Sequence, residues 1–216
     1  MATYLQLVNE VLTRLRESNV STVTETAYSS LIGLFVNDAK RAVEDAWDWS
    51  ALSTTITIPT VAGTTMYTVT GSGGRQRSVA VNDTTNKARL TNVPIQWITD
   101  QQQLTTTNTG NPCYYAWNGI HTTGDSKVEI YPTPTGVASL KFNMTVPQDT
   151  LSTGSTVLLV PSEPVIAGAV ARAMVERGED GGLASGEAYG LAKAVLSDYI
   201  ALEQSRFPEY AVFEAT

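Results

Sequence analysis

The chain has 216 residues, of which 42% are apolar and only 16% charged, and its formal net charge is -7. A chain of this length can bury one large core or two small ones, while its acidity argues against a protein that grips phosphate backbones through clustered Lys and Arg. Its single cysteine, Cys113, excludes an intramolecular disulfide framework and a cysteine-based zinc site.

Near the N-terminus, Thr3-Tyr4-Leu5-Gln6 has the form of a capping box. Leu5, Val8, Leu12 and Leu15 then follow at helical spacing, which predicts a first helix ending near Glu17. The start alternates apolar with polar residues instead of forming a signal-peptide core. No run approaches the roughly 18 to 20 apolar residues of a membrane span. A soluble protein with no membrane partner is expected. A second, longer helix is predicted from Tyr28, Leu31, Ile32, Phe35, Ala39, Ala42, Val43 and Ala46, with Lys40, Arg41, Glu44 and Asp45 on its other side. Trp47 and Trp49 close it and are expected to anchor against the next domain.

Composition changes at Leu52. Up to Leu159 the chain is rich in Thr and Val, broken by Gly, Pro and Asn. The runs TTITIP, MYTVT, RSVAVN, KARLT, PIQWIT, CYYAWNG, KVEIYP and SLKFNMTV read as strands, with VNDTTNKA as a hairpin loop. TGSGGRQR and QQQLTTTNTGN read as longer loops.

Helical patterning returns after Pro161. Ser162 is the expected N-cap, with Pro164 in the first turn. Val165, Ile166, Ala169, Val170, Ala173 and Met174 form the apolar face, Gly168 and Ala171 permit close approach of another helix, and Gly178 is the C-cap. A last helix runs from about Leu183 to Phe207, with Tyr189, Ala192, Val195, Leu196 and Tyr199 inward, and Pro208 stops it. The expected fold class is α+β: a discontinuous four-helix bundle (1–50 and 161–207) with an inserted, mostly antiparallel β domain (51–160) and a C-terminal tail (208–216).

Catalytic signatures are missing. His121 is the only histidine and sits in a loop-like stretch, and there is no G-x-S-x-G elbow. TGSGGRQRS has glycines but neither the lysine nor the following helix of a phosphate cradle. Glu179 and Asp180 lack the oxygen spacing of a calcium loop. Asp45 and Asp48 read as a solvated helix face, and Tyr114, Tyr115 and Trp117 as the filling of a sheet core. Neither an enzyme nor a cofactor or metal is expected.

GNPCYYAWNG, then VEIYPTPTG, then LKFNMTVPQDTL form a series of turns and strands that resembles tailed-phage head-to-tail adaptor (connector) proteins, the group including tail tubular protein A of short-tailed phages. The flanking helix order and VPSEPVIAGAVARAMVERGEDGG are similar to that family as well. The resemblance implies a structural protein of the virion neck or tail, assembled in the host cytoplasm. It would form a ring, commonly of twelve subunits, docked beneath the portal protein and joined to a downstream tail protein, with a channel through which genome DNA passes without sequence-specific binding. The small-residue helix after Pro161 suits packing within the bundle and against a neighbour in such a ring.

Phe207, Pro208, Tyr210, Val212 and Phe213 form an apolar segment too short for its own core, and the resemblance assigns it to the portal. The polar loop bearing Gln101, Gln102, Gln103, Leu104, Thr105, Thr106, Thr107 and Asn108 is expected to order against the tail protein. The alternative is a virion-associated module that recognises a host glycan through the β domain.

Overall fold

The computed structural model describes residues 2–104, 106, 108–178 and 183–207. Helices α1 (Tyr4–Arg14), α2 (Ala27–Ala46), α3 (Ile95–Gln103), α4 (Ser162–Arg177) and α5 (Leu183–Arg206) accompany seven strands: β1 (Ser53–Pro59), β2 (Met66–Thr68), β3 (Arg77–Asp83), β4 (Ala88–Asn92), β5 (Tyr114–Ile120), β6 (Ser126–Tyr131) and β7 (Ser139–Thr145). The fold is mixed α+β. Contacts divide it into a helical unit, up to Leu52 and again from Gln148, and a β unit, Ser53–Pro147.

In the helical unit, α1 begins at the expected capping box: Thr3 Oγ1 accepts from Gln6 N, and Gln6 Oε1 accepts from Thr3 N. Two further N–H groups of its first turn are satisfied by a distant segment, Tyr4 N donating to Thr156 O and Leu5 N to Gly154 O. Tyr4, Leu7, Val8, Val11 and Leu12 are buried from α1, and Ile32, Val36, Ala39 and Val43 from α2. Leu5 and Leu15 of the expected stripe are only partly buried.

Gly33 lets the two helices meet. A Cβ there would collide with the Tyr4 hydroxyl and lie 2.9 Å from Val23 Cγ1. Trp49 belongs to this same core, its Nε1 donating to Val43 O at 2.7 Å, so it anchors the helix that precedes it.

Lys40 and Glu44, expected on the solvated side of α2, are buried and form an ion pair of 2.9 Å. The pair receives the chain as it enters the helical unit, since Lys40 Nζ donates to Gln148 O and Gln148 N donates to Glu44 Oε1. Asn37 binds both backbone groups of Leu151. Residues 148–160, expected in the β domain, therefore pack with the helices and contribute Leu151, Leu158 and Val160 to their core. Their Thr- and Val-rich composition suits extended backbone, but that backbone is spent on the N-terminus of α1, including a bridge between Thr3 and Val157.

Ser162 is the first residue of α4 rather than its cap, which is Pro161, and Gly178 ends the helix in the left-handed conformation at φ 64°. The buried face of α4 includes Val165, Ile166, Gly168, Ala169, Ala171 and Ala173. The buried core takes side chains from α1, α2, α4 and the connecting segments, and among the described residues α5 adds the partly buried Leu196, Tyr199 and Ile200.

The β unit is one sheet of order β1-β7-β3-β4-β5-β6-β2, antiparallel except for β4 beside β5. Ile56, Phe142, Val81 and Leu90 lie in one cross-strand row of its inner core, joined by Tyr115, Val128 and Ile130. PIQWIT is not a strand. Pro94 caps α3, which buries Ile98 and sets Trp97 against Tyr114 and Tyr131. A short β-branched run hid a helix whose apolar residues, Ile95 and Ile98, fall three apart.

Candidate docking surfaces

Most surface helices have one apolar side, whereas α5 has two. Leu196, Tyr199 and Ile200 lean on the helical core. Leu191 and Leu202, on a second side three turns apart, are 64% and 42% exposed. Tyr189, expected inward, is also exposed. Ser185 is the one buried residue among those of α5 whose burial is described.

The C-terminal half of α5 forms one wall of a groove of about 310 Å³, with Tyr199, Leu202, Glu203 and Arg206 facing Trp49–Ala51 and Leu159–Ser162. Glu203 Oε1 accepts from both Ser50 N and Ser50 Oγ, at 2.9 and 2.6 Å, which fixes that wall. Phe207 stands exposed at the end of α5. Pro208, Tyr210, Val212 and Phe213 lie outside the described residues.

In the β unit the expected loop from Gln101 to Asn111 is shorter. Gln101, Gln102 and Gln103 form the last turn of α3, and Gln102 Nε2 donates to Glu129 Oε1 at 2.7 Å. Glu129 is buried, and its other oxygen accepts from Asn118 Nδ2. Asn108 is tied down through its carbonyl, which accepts from Thr133 N, and Gly110 N donates back to Thr133 O. What projects is Leu104, 79% exposed, followed by Thr106. Thr105 and Thr107 lie outside the described residues.

His121, Thr123 and Asp125 form a chain of polar contacts in the turn after β5, with 3.0 Å from His121 Nδ1 to Thr123 Oγ1 and 3.0 Å from there to Asp125 Oδ2. Its evident task is structural. Asp125 Oδ1 accepts from Gly71 N and Gly73 N, joining two loops. The Gly73 N–H above all, then the Thr123 hydroxyl, hold the Asp125 carboxyl below its ordinary range. Tyr115 and Trp117 meet edge to face at 6.2 Å within the inner core, and Tyr114 packs on Trp97 at 4.8 Å. Asp45 and Asp48 stand exposed at the end of α2, and Glu179 and Asp180 lie outside the described residues. Among the described residues no cluster of His, Cys, Asp and Glu could hold a metal, and no helix is long and apolar enough to cross a membrane.

The described residues of α5 thus leave Leu191 and Leu202 uncovered. The family model of the SU10 adaptor protein matches residues 2–211. The chain belongs to the SU10 adaptor protein family. That family places it among phage adaptors, structural proteins of the virion neck, and implies association with portal and tail proteins and with further copies. No curated protein matches the sequence significantly.

Two features of the adaptor's surface are only weakly marked in its sequence. The second apolar side of α5 was legible in the spacing of Leu191 and Leu202, but the inward residues beside them masked it. Charge is also segregated. The β unit carries Arg75, Arg77, Lys87, Arg89, Lys127 and Lys141 against Asp83, Asp100, Asp125 and Glu129, a net +2, which leaves -9 for the rest of the chain.

Proposed function

We propose that the adaptor forms a ring beneath the portal vertex, joins the portal to the next tail component, and leaves a channel for genome passage, in the manner of tail tubular protein A of short-tailed phages. The observation that carries this reading is α5. Twenty-four residues long, it gives one side to its own core and presents Leu191 and Leu202 on another. Exposed leucines along one side of a well-formed helix suit an association surface. In a ring, which uses two different faces of each subunit, a neighbouring copy would cover that side and so complete the fourth helix of the bundle.

In this reading Phe207 and the residues from Pro208 bind the portal, and Leu104, beyond the last turn of α3, binds the tail protein. The aromatic residues on which glycan recognition would rest are engaged in packing, so that alternative gains no support from them.

Electron cryo-microscopy of the particle, together with capture of the adaptor by immobilised portal protein, tests the proposal. Wild-type protein should be retained as a closed ring, while a chain lacking Pro208–Thr216 should stay folded and be lost from the portal. Density for this chain anywhere other than between portal and tail would overturn it.

A further inference from the structure

We propose that the bare outer face of the β1-β7-β3-β4 half of the sheet binds the sugar-phosphate backbone of duplex DNA without regard to sequence. Register places Thr57, Lys141, Asn82 and Arg89 in one cross-strand row, and Thr55, Asn143 and Ala80 in the next. The row between them is the inner-core row of Ile56, Phe142, Val81 and Leu90, so these side chains point the other way, outward. On the far half of the same face α3 packs over β5 and β6. On this half Thr55, Thr57, Lys141 and Arg89 are exposed.

The face is cationic although the protein is acidic. Lys141 and Arg89, two strands apart, stand about 10 Å from each other across the sheet. Lys87 lies in the turn just before β4, exposed. Neither Lys87, Arg89 nor Lys141 makes an ion pair among the described residues.

Of the four carboxylates of the β unit, Asp83 accepts from Thr85 N and Asn86 N inside the β3–β4 turn and Asp125 joins two loops, while Asp100 and Glu129 lie on the half of this face that α3 occupies, Glu129 buried and bonded to Gln102. No carboxylate stands in the two cross-strand rows of this face.

Its chemistry separates DNA from a protein partner. The two rows hold nothing apolar larger than Ala80, and the exposed Val79 sits at the β3 bulge, out of register. Protein interfaces need aromatic and other apolar residues at their core and are depleted in Lys there. Lys, Arg, Thr and Asn are instead the side chains that contact phosphate and sugar. The rows contain no aromatic ring for base stacking, which favours a duplex over a single strand and removes sequence preference.

The test is fluorescence anisotropy of the full-length protein with a labelled random-sequence duplex over a range of NaCl concentrations. It does not depend on ring formation. Three phosphate contacts predict a log–log salt slope of about -2.7, so affinity should fall about 40-fold between 50 and 200 mM salt. Arg89→Gln and Lys141→Gln should each flatten the slope by about 0.9, and Arg89→Glu with Lys141→Glu should abolish binding, with circular dichroism unchanged.

No binding at about 20 mM salt, or equal binding by the double variant, would overturn the proposal. So would a double variant that loses self-association but keeps its DNA affinity, because the face would then belong to a second copy. Portal capture of the same double variant reads the adaptor function separately. It should be retained, and failure of wild-type capture would count against the adaptor reading while leaving the DNA titration intact.

Discussion

Gly168 of α4 faces Ala39 of α2 so closely that a Cβ on Gly168 would lie 3.2 Å from the Ala39 Cβ. The small residues of α4 thus serve the interior of the helical unit, where they bring two helix backbones together. Gly168→Val should cost about 1–3 kcal/mol by overpacking. Gly168→Ala should be close to neutral, because about 0.5–1 kcal/mol of helix propensity offsets the tight contact. Urea unfolding of both variants checks the contrast.

Tyr4 and Gly33 make a stricter contact, since the Tyr4 hydroxyl is held over Gly33 by Asn37 Nδ2 at 3.2 Å. Gly33→Ala should destabilise by about 1–3 kcal/mol. Adding Tyr4→Phe should recover part of that loss despite removing a hydrogen bond. A double-mutant cycle in denaturant measures the coupling, and strict additivity would show that the hydroxyl is not the obstacle.

Lys40 and Glu44 are both buried, and both bind the backbone of Gln148. Lys40→Met would leave the Glu44 carboxylate buried without its cation, at a cost of about 3–5 kcal/mol. Replacing both, Lys40→Met with Glu44→Leu, should cost much less, because no buried charge remains. Thermal unfolding of the two variants should differ in that order.

Asp125 gives a pH dependence. Its carboxyl is held below the ordinary Asp value of 3.8, chiefly by the Gly73 N–H and then by Thr123. A group whose folded value is depressed stabilises above the unfolded value and loses that contribution as pH falls through the folded one. Hydrogen exchange at Gly71 and Gly73 should therefore stay protected down to the ordinary Asp range and accelerate below it. Asp125→Asn should remove the acid-dependent step.

Leu104 is 79% exposed beyond the last turn of α3. Leu104→Asp should change stability by no more than about 0.5 kcal/mol. Assembly assays with adaptor-bearing heads should nonetheless show weaker addition of the tail component. This substitution leaves intact the hydrogen bonds that tie Asn108 and Gly110 to Thr133. Normal tail addition would remove Leu104 from the interface.

Local signals determined much of this protein from its sequence: the capping box at Thr3, the left-handed stop at Gly178, the β3–β4 hairpin and the strand runs each depend on residues close together in the chain. The turn-and-strand series that resembles phage adaptors was legible in the same way. Tertiary structure alone decided where Lys40, Glu44 and residues 148–160 belong. A charged pair on one helix reads as solvated until a distant backbone, that of Gln148, supplies its hydrogen bonds. It also decided that PIQWIT is helical, because a run of six residues fits either period and the sheet face beneath Trp97 settles the choice. Net charge was the least informative quantity, since a sum over 216 residues hides a cationic sheet face that forms only when Lys141 and Arg89, far apart in sequence, are brought into one cross-strand row by β3.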